Sequence, residues 1–193
     1  YKAAAARLKL GGGKAVIIGN PFVEKTTGLL RAMGKFVNRL KGRYIAAKDA
    51  GIAMADLVEI AKETNYVTGL PEEMGGSGDP SPWTALGVLE GIRASVEQKL
   101  KRRNLEGLRA AIQGVGAVGF GVAELLHREK VKLVISDTDP QALERAKQAF
   151  QAEVVRPEKI YSVEAEIFSP CALGGIVNEH TLPEFRSAVI AGG

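Results

Sequence analysis

In 193 residues the sequence has one cysteine, two histidines and one tryptophan. A single cysteine excludes an internal disulfide framework and fits a reducing, cytoplasmic compartment. The histidines, His127 and His180, are far apart and Cys171 stands alone, so no metal-ligand spacing is present and no metal is expected. No apolar run is long enough to span a bilayer, and the opening YKAAAARLK lacks the apolar core of an export signal, so no membrane partner is expected. The net charge of +4 is mild. The one basic cluster, Lys101-Arg102-Arg103, follows a predicted helix, where it suits the negative end of the dipole. A nucleic-acid binder would want a broader basic face with interleaved aromatics, and aromatics make up only 6% of the chain. What remains, 46% hydrophobic and 25% charged, is ordinary for a globular protein of one large domain or two small ones. The chain begins without methionine, and residues 188–193 read as a buried strand running into a turn, so a piece of a longer protein is expected.

The most informative stretch runs from Leu108 to Asp137. Leu108 to Gln113 is a short apolar run, broken only by Arg109 and its end. Gly114-Val115-Gly116-Ala117-Val118-Gly119 is a G-x-G-x-x-G turn. Ala117 to Glu129 carries apolar residues at helical spacing, Val131 to Ile135 is a second apolar run, and Asp137 follows. Each part has a physical job in binding a dinucleotide. Gly114 permits a tight turn, Gly116 lets the backbone approach a pyrophosphate, and Gly119 lets helix and strand pack closely. The helix N-terminus offers free N–H groups to the phosphates. Asp137, at the tip of the second strand, is placed to accept hydrogen bonds from an adenosine ribose and to repel a 2′-phosphate, which favours NAD over NADP. An ordinary βαβ unit with a glycine-rich turn is the alternative.

The rest of the pattern sets the organisation. A helix is expected over Lys2-flanking alanines (around Ala3 to Leu8), a strand over Ala15 to Ile18, and a helix over Thr26 to Leu40 with Leu29, Leu30, Met33, Phe36, Val37 and Leu40 on its apolar face. Strands are expected at Arg43–Ala47 and Tyr66–Thr68, with a short helix over Met54–Lys62 between them. Leu70 to Ser81, rich in Gly, Pro, Ser and Asp, reads as the domain boundary. Helices over Pro82–Leu100 and Pro140–Gln151, and strands at Glu153–Val155, Ile167–Phe168 and Ala188–Ala191, complete the chain. The expected class is α/β: residues 79–193 form a doubly wound parallel (Rossmann) NAD-binding domain truncated at its C-terminus, and residues 1–78 form part of a substrate domain truncated at its N-terminus.

Chemistry should come from the first half, facing the cofactor across a cleft. Lys14 follows three glycines and precedes an apolar run, leaving room beside it for a small ligand; partial burial would favour a neutral amine able to act as a base. Lys2 lies one predicted helix upstream. Asp49 ends a predicted strand at a turn next to Gly51. On spacing alone these three also read as a surface lysine, a terminal lysine and a turn aspartate.

The run Tyr1-Lys2-Ala3-Ala4-Ala5 through Leu10-Gly11-Gly12-Gly13-Lys14-Ala15-Val16-Ile17 resembles the signature of the glutamate, leucine, phenylalanine and valine dehydrogenases. So do Asp49-Ala50-Gly51, Thr64-Asn65-Tyr66-Val67-Thr68-Gly69, Gly78-Asp79-Pro80-Ser81-Pro82, Gln113-Gly114-Val115-Gly116 and Pro170-Cys171-Ala172-Leu173-Gly174-Gly175. The resemblance covers essentially the whole chain, in the family's order, and is greatest to the leucine enzymes. It implies reversible NAD-dependent oxidative deamination of an L-amino acid to a 2-oxo acid and ammonia by a homo-oligomer. Carried over residue by residue, it makes Lys14 the general base and Asp49 the proton relay holding the amino group. Lys2 would bind the substrate carboxylate with the backbone of Gly11, Gly12 and Gly13, and Ala47 and Thr68 would line the side-chain pocket. The glycine turn and Asp137 would hold NAD, with Ser81, Thr84, Cys171 and Ala172 near the nicotinamide. Alanine at 47 looks leucine-like, and an apolar pocket with one threonine suits leucine, isoleucine or valine. Ile52-Ala53 departs from the paired threonines usual after Asp49-x-Gly51. Phenylalanine or glutamate dehydrogenase activity and a non-catalytic NAD-binding module are the alternatives. A 2-hydroxy-acid dehydrogenase would want a histidine–carboxylate pair that neither His127 nor His180 is placed to supply.

Overall fold

The structure, a computed structural model, describes residues 1–193 and divides into two units, Tyr1–Pro80 and Ser81–Gly193. The first begins with a single helical turn, α1 (Lys2–Ala5), and is built on α2 (Thr27–Arg39) and α3 (Met54–Ala61). Thr26 has extended backbone and its hydroxyl accepts from Leu29 N–H at 3.2 Å, so it caps α2. Replacing Thr26 by alanine is expected to cost about 1 kcal/mol of this unit's stability, read as a lower urea midpoint at unchanged slope. α3 is started by Asp56, whose carboxylate accepts from Ala53 N–H at 2.7 Å and pairs with Lys25 at 2.6 Å. The two helices cross at Gly34, where a Cβ would lie 2.5 Å from Ile60 O. Leu30, Val37, Ala46, Leu57 and Ile60 form the small core. Of the apolar face expected on α2, Leu29 and Phe36 are exposed.

The strands expected in this unit are largely absent. Ala15 to Ile18 makes no ladder, and Val16 and Ile18 are exposed. Arg43–Ala47 and Tyr66–Thr68 reduce to one parallel bridge, Ala46 to Val67. The reason is physical: an apolar run becomes a strand only when another segment offers its edge, and no segment of this unit pairs with 15–18. The stretch 70–80 is loop apart from one 3₁₀ turn, Glu72–Met74.

The second unit follows the expected elements to within a residue or two. α4 (Ser81–Leu100) leads to β1 (Arg109–Gln113), α5 (Ala117–Arg128), β2 (Lys132–Ser136), α6 (Pro140–Phe150), β3 (Glu153–Val154), β4 (Ile167–Pro170) and β5 (Val189–Ile190). All five strands are parallel, in the order β3-β2-β1-β4-β5. Both faces of the strands are apolar, as a sheet covered on both sides requires. One face carries Ala110, Ile112, Leu133, Ile135 and Ile167 against the helices; Ala111, Val134 and Phe168 on the other meet Ile160 and Phe185. The chain winds outward through α5 and α6 and then crosses to β4 on the far side of β1. The order therefore reverses between β1 and β4, the point where doubly wound sheets bind ligands. No helix is long and apolar enough to cross a membrane.

Candidate active site and dinucleotide loop

In the first unit, Lys14 Nζ and a carboxylate oxygen of Asp49, 35 positions apart in sequence, form an ion pair. Gly11 and Gly12 leave open space where side chains would stand, and a Cβ at Gly13 would crowd the Tyr44 ring at 3.2 Å, so the glycine run brings the backbone against Tyr44 and delivers Lys14. Asp49 is set by its own turn: Oδ1 accepts from Ala50 N–H at 2.8 Å, Ile52 N–H bonds to Asp49 O at 2.9 Å, and Gly51 turns the chain with φ +78°. The pair lines a cavity of about 620 Å³ with Gly13, Met33, Ala47 and Lys48. The partial burial expected of Lys14 is not seen: its side chain is 65% exposed, and what it faces is a carboxylate. Lys2, Gly12 and Thr68 do not line this cavity. Lys2 sits exposed on α1, and Thr68 is exposed beside the Ala46 bridge.

In the second unit the three glycines differ in what they do. Gly114 has φ +86°, and a Cβ there would lie 2.6 Å from Ala172 N. At Gly119 a Cβ would lie 1.9 Å from Gly114 O. Gly116 has nothing within 4 Å and is the N-cap of α5, with no side chain capping the helix. The first N–H groups of α5, on Ala117, Val118 and Gly119, are thus free of intrahelical partners, and a bare backbone fronts them. Anions are stabilised at such an end. Asp137 closes the other side: Oδ2 accepts from Val115 N–H at 2.7 Å and Oδ1 from Asp139 N–H at 2.9 Å. Each oxygen keeps a lone-pair direction for a further donor. Bare glycine backbone, uncapped helix and tip carboxylate together fit a dinucleotide's pyrophosphate and ribose.

Cys171 and Ala172 turn out of β4 directly over Gly114, held by Cys171 N–H to Gln113 O at 2.7 Å. Burial pushes the Cys171 thiol up from its ordinary range, only partly offset by Ser169 Oγ at 3.5 Å. That is the opposite of nucleophile activation. Ser81 is buried at the start of α4, while Thr84 is exposed and lies near Gly193, which also touches Val118.

Three features carried no usable sequence signal. Lys48 Nζ donates to both oxygens of Asp79, at 2.7 and 2.8 Å. Gln113 Nε2 donates to Tyr161 Oη at 2.8 Å from the end of β1, below the glycine turn. Arg145 lies over the Phe120 ring at 4.7 Å. Each joins residues too distant in sequence for spacing to reveal.

Residues 1–66 match the family described as Glu/Leu/Phe/Val dehydrogenase, dimerisation domain. Over 192 residues the chain is 48% identical to a leucine dehydrogenase of Geobacillus stearothermophilus and 50% identical to an L-tryptophan dehydrogenase of Nostoc punctiforme, in each case with all of this chain matched to 52–53% of the relative. The crystal structure of L-tryptophan dehydrogenase from Nostoc punctiforme aligns over the full chain and 54% of its own length, with a TM-score of 0.70 at 46% identity. The chain spans about half the length of the curated relatives it matches. Over residues 1–66 it is similar to the Glu/Leu/Phe/Val dehydrogenase family, and over its whole length to amino-acid dehydrogenases.

Proposed function

We propose that the protein carrying this chain catalyses NAD-dependent, reversible oxidative deamination of a branched-chain L-amino acid to its 2-oxo acid and ammonia. The observation that carries the reading is the Lys14–Asp49 pair at the wall of a cavity. NAD supplies the hydride acceptor when bound. Deamination then needs water to add to an imine carbon and a proton to move onto the departing nitrogen. Lys14 removes the proton from that water, and Asp49, already bonded to Lys14, exchanges a proton with the amino group. Lys2 and the N–H groups of Gly12 and Gly13 take the substrate carboxylate; Ala47 and Thr68 bound its side chain. Gly114, Val115, Gly116, Ala117, Val118 and Gly119 receive the pyrophosphate, Asp137 the ribose, and Ser81, Thr84, Cys171 and Ala172 the nicotinamide end. NAD is preferred to NADP because the Asp137 carboxylate opposes a 2′-phosphate.

A cytoplasmic homo-oligomer is part of the proposal. Val16, Ile18, Phe22 and Val23 leave apolar surface in solvent in the first unit, of the kind that a subunit contact or the remainder of a longer chain buries. Aromatic L-amino acids are the second reading, supported by the identity to an L-tryptophan dehydrogenase. The full-length protein decides between them. NADH formation with L-leucine, L-valine, L-phenylalanine, L-tryptophan and L-glutamate is expected to give the highest kcat/KM for leucine or valine. The advantage over a poorly fitting side chain should be about tenfold or more. Preference for tryptophan selects the aromatic reading, and silence with all five despite NAD binding rejects deamination.

A further inference from the structure

We propose that the Lys48–Asp79 ion pair is a positioning device for the Lys14–Asp49 pair: it holds the short segment that presents Asp49. The segment needs such a hold. Its upstream end is fixed by the single bridge at Ala46, through Ala46 N–H to Tyr66 O at 2.9 Å and Thr68 N–H to Ala46 O at 2.8 Å. Beyond that bridge no strand continues, and the chain enters the Asp49–Gly51 turn.

Exposure alternates along it as on an extended chain: Ala46 is buried, Ala47 exposed, Lys48 half-buried, Asp49 exposed. Lys48 is therefore the inward side chain next to Asp49, with only 18% of it exposed against 65% for Lys14. Its ammonium meets both oxygens of Asp79, at 2.7 and 2.8 Å, across 31 residues. Asp79 is presented from restricted backbone, because the following Pro80 confines it to extended conformations. An exposed pair such as Lys14–Asp49 does little to fix its own geometry, since solvent screens it and both side chains are free to move. The Lys48–Asp79 pair resists separation chiefly from the lysine's side: Asp79 is 37% exposed, but removing it strands the largely withdrawn Lys48 ammonium without its counter-charge. The division of labour follows: Lys48 and Asp79 hold, Lys14 and Asp49 react.

The test uses the full-length protein with Lys48→Met, Asp79→Asn, the double variant and Lys48→Arg. Two readouts are taken. One is labelling of the Lys14 amine by trinitrobenzenesulfonate, followed by peptide mass spectrometry. The other, which rests on the proposed deamination, is kcat and KM for L-leucine against Kd for NAD. Each single variant is expected to label faster at Lys14, because Asp49 no longer stays on its amine. Each should lose roughly 10- to 100-fold in kcat/KM for the amino acid, as misplacement of a reacting group does, with Kd for NAD unchanged. The double variant should be no worse than either single, since the two act as one unit. Lys48→Arg should keep parental labelling. Should a single variant fail to fold, the double and Lys48→Arg carry the same comparison. Parental labelling in the singles, or additive losses in the double, overturns the proposal. Faster labelling in variants of a parent that turns over no amino acid keeps the positioning role and rejects deamination instead.

Discussion

Lys14→Ala is expected to lower kcat for deamination by about 10²- to 10⁴-fold, the range a positioned general base contributes, while Kd for NAD and thermal stability stay at parental values. The separation of effects follows from where Lys14 sits. Its side chain is 65% exposed and its partner Asp49 59% exposed. A pair so open to solvent contributes about 0–1 kcal/mol to folding, so truncation leaves the fold intact. The glycine loop belongs to the other unit, and its bonds from Val115 and Asp139 to Asp137 involve neither residue. What alanine removes is the amine paired with Asp49, and with it the proposed acceptor for the proton of the attacking water. Asp49→Asn should fall in the same direction, since an amide cannot carry the proton between Lys14 and the substrate nitrogen. The two losses should not multiply in the double variant, because the pair acts as one device. Steady-state kinetics with L-leucine, an NAD titration by fluorescence and a melting curve on the same preparations suffice. A Lys14→Ala enzyme that keeps most of its turnover places the base elsewhere.

How much of this was legible in the sequence depends on how local the determinants are. The second unit could be read almost element by element, because a glycine spacing, a helical period and two apolar runs each act within a few residues. Gly114 and Gly119 sit where backbone geometry leaves no room for a side chain, so the letter reports the geometry directly. Pro140, following the Asp139 cap whose carboxylate accepts from Gln141 N–H at 2.9 Å, similarly announces the start of α6. The first unit was less legible for the converse reason. Ala15–Ile18 has the composition of a strand, but a ladder needs a partner, and composition does not supply one. The pairing of Lys14 with Asp49 could not be derived from spacing either; only the resemblance of Gly11-Gly12-Gly13-Lys14 and Asp49-Ala50-Gly51 to a known family pointed to both residues. Lys48 with Asp79, and Gln113 with Tyr161, lie outside those motifs, and the structure alone joins them.

The glycine loop yields the second large effect. Gly119→Ala is expected to destabilise the second unit by about 1–3 kcal/mol, the cost of forcing a methyl into a packed site, and to weaken NAD binding at the same time. A Cβ at 119 would stand 1.9 Å from Gly114 O, 2.9 Å from Gly114 C and 3.1 Å from the Cβ of Cys171. Two of those three atoms are backbone, so no side-chain rotation relieves the contact. Gly114 cannot retreat freely, because its own Cβ position is already 2.6 Å from Ala172 N and its N–H is bonded to Ser136 O at 2.7 Å. The helix must therefore move off the strand, carrying its free N–H groups away from the phosphate position. Gly116→Ala is the informative contrast. Nothing lies within 4 Å of a Cβ there, and φ of −65° is one any residue adopts. That variant should melt with the parent and still lose NAD affinity, because the methyl occupies the space through which a pyrophosphate meets the backbone. Loss of stability at 119 with loss of affinity at both positions separates packing from ligand approach in one loop. Undiminished NAD affinity in Gly116→Ala would instead mean that the pyrophosphate does not pass over this turn, and the βαβ unit would be an ordinary one.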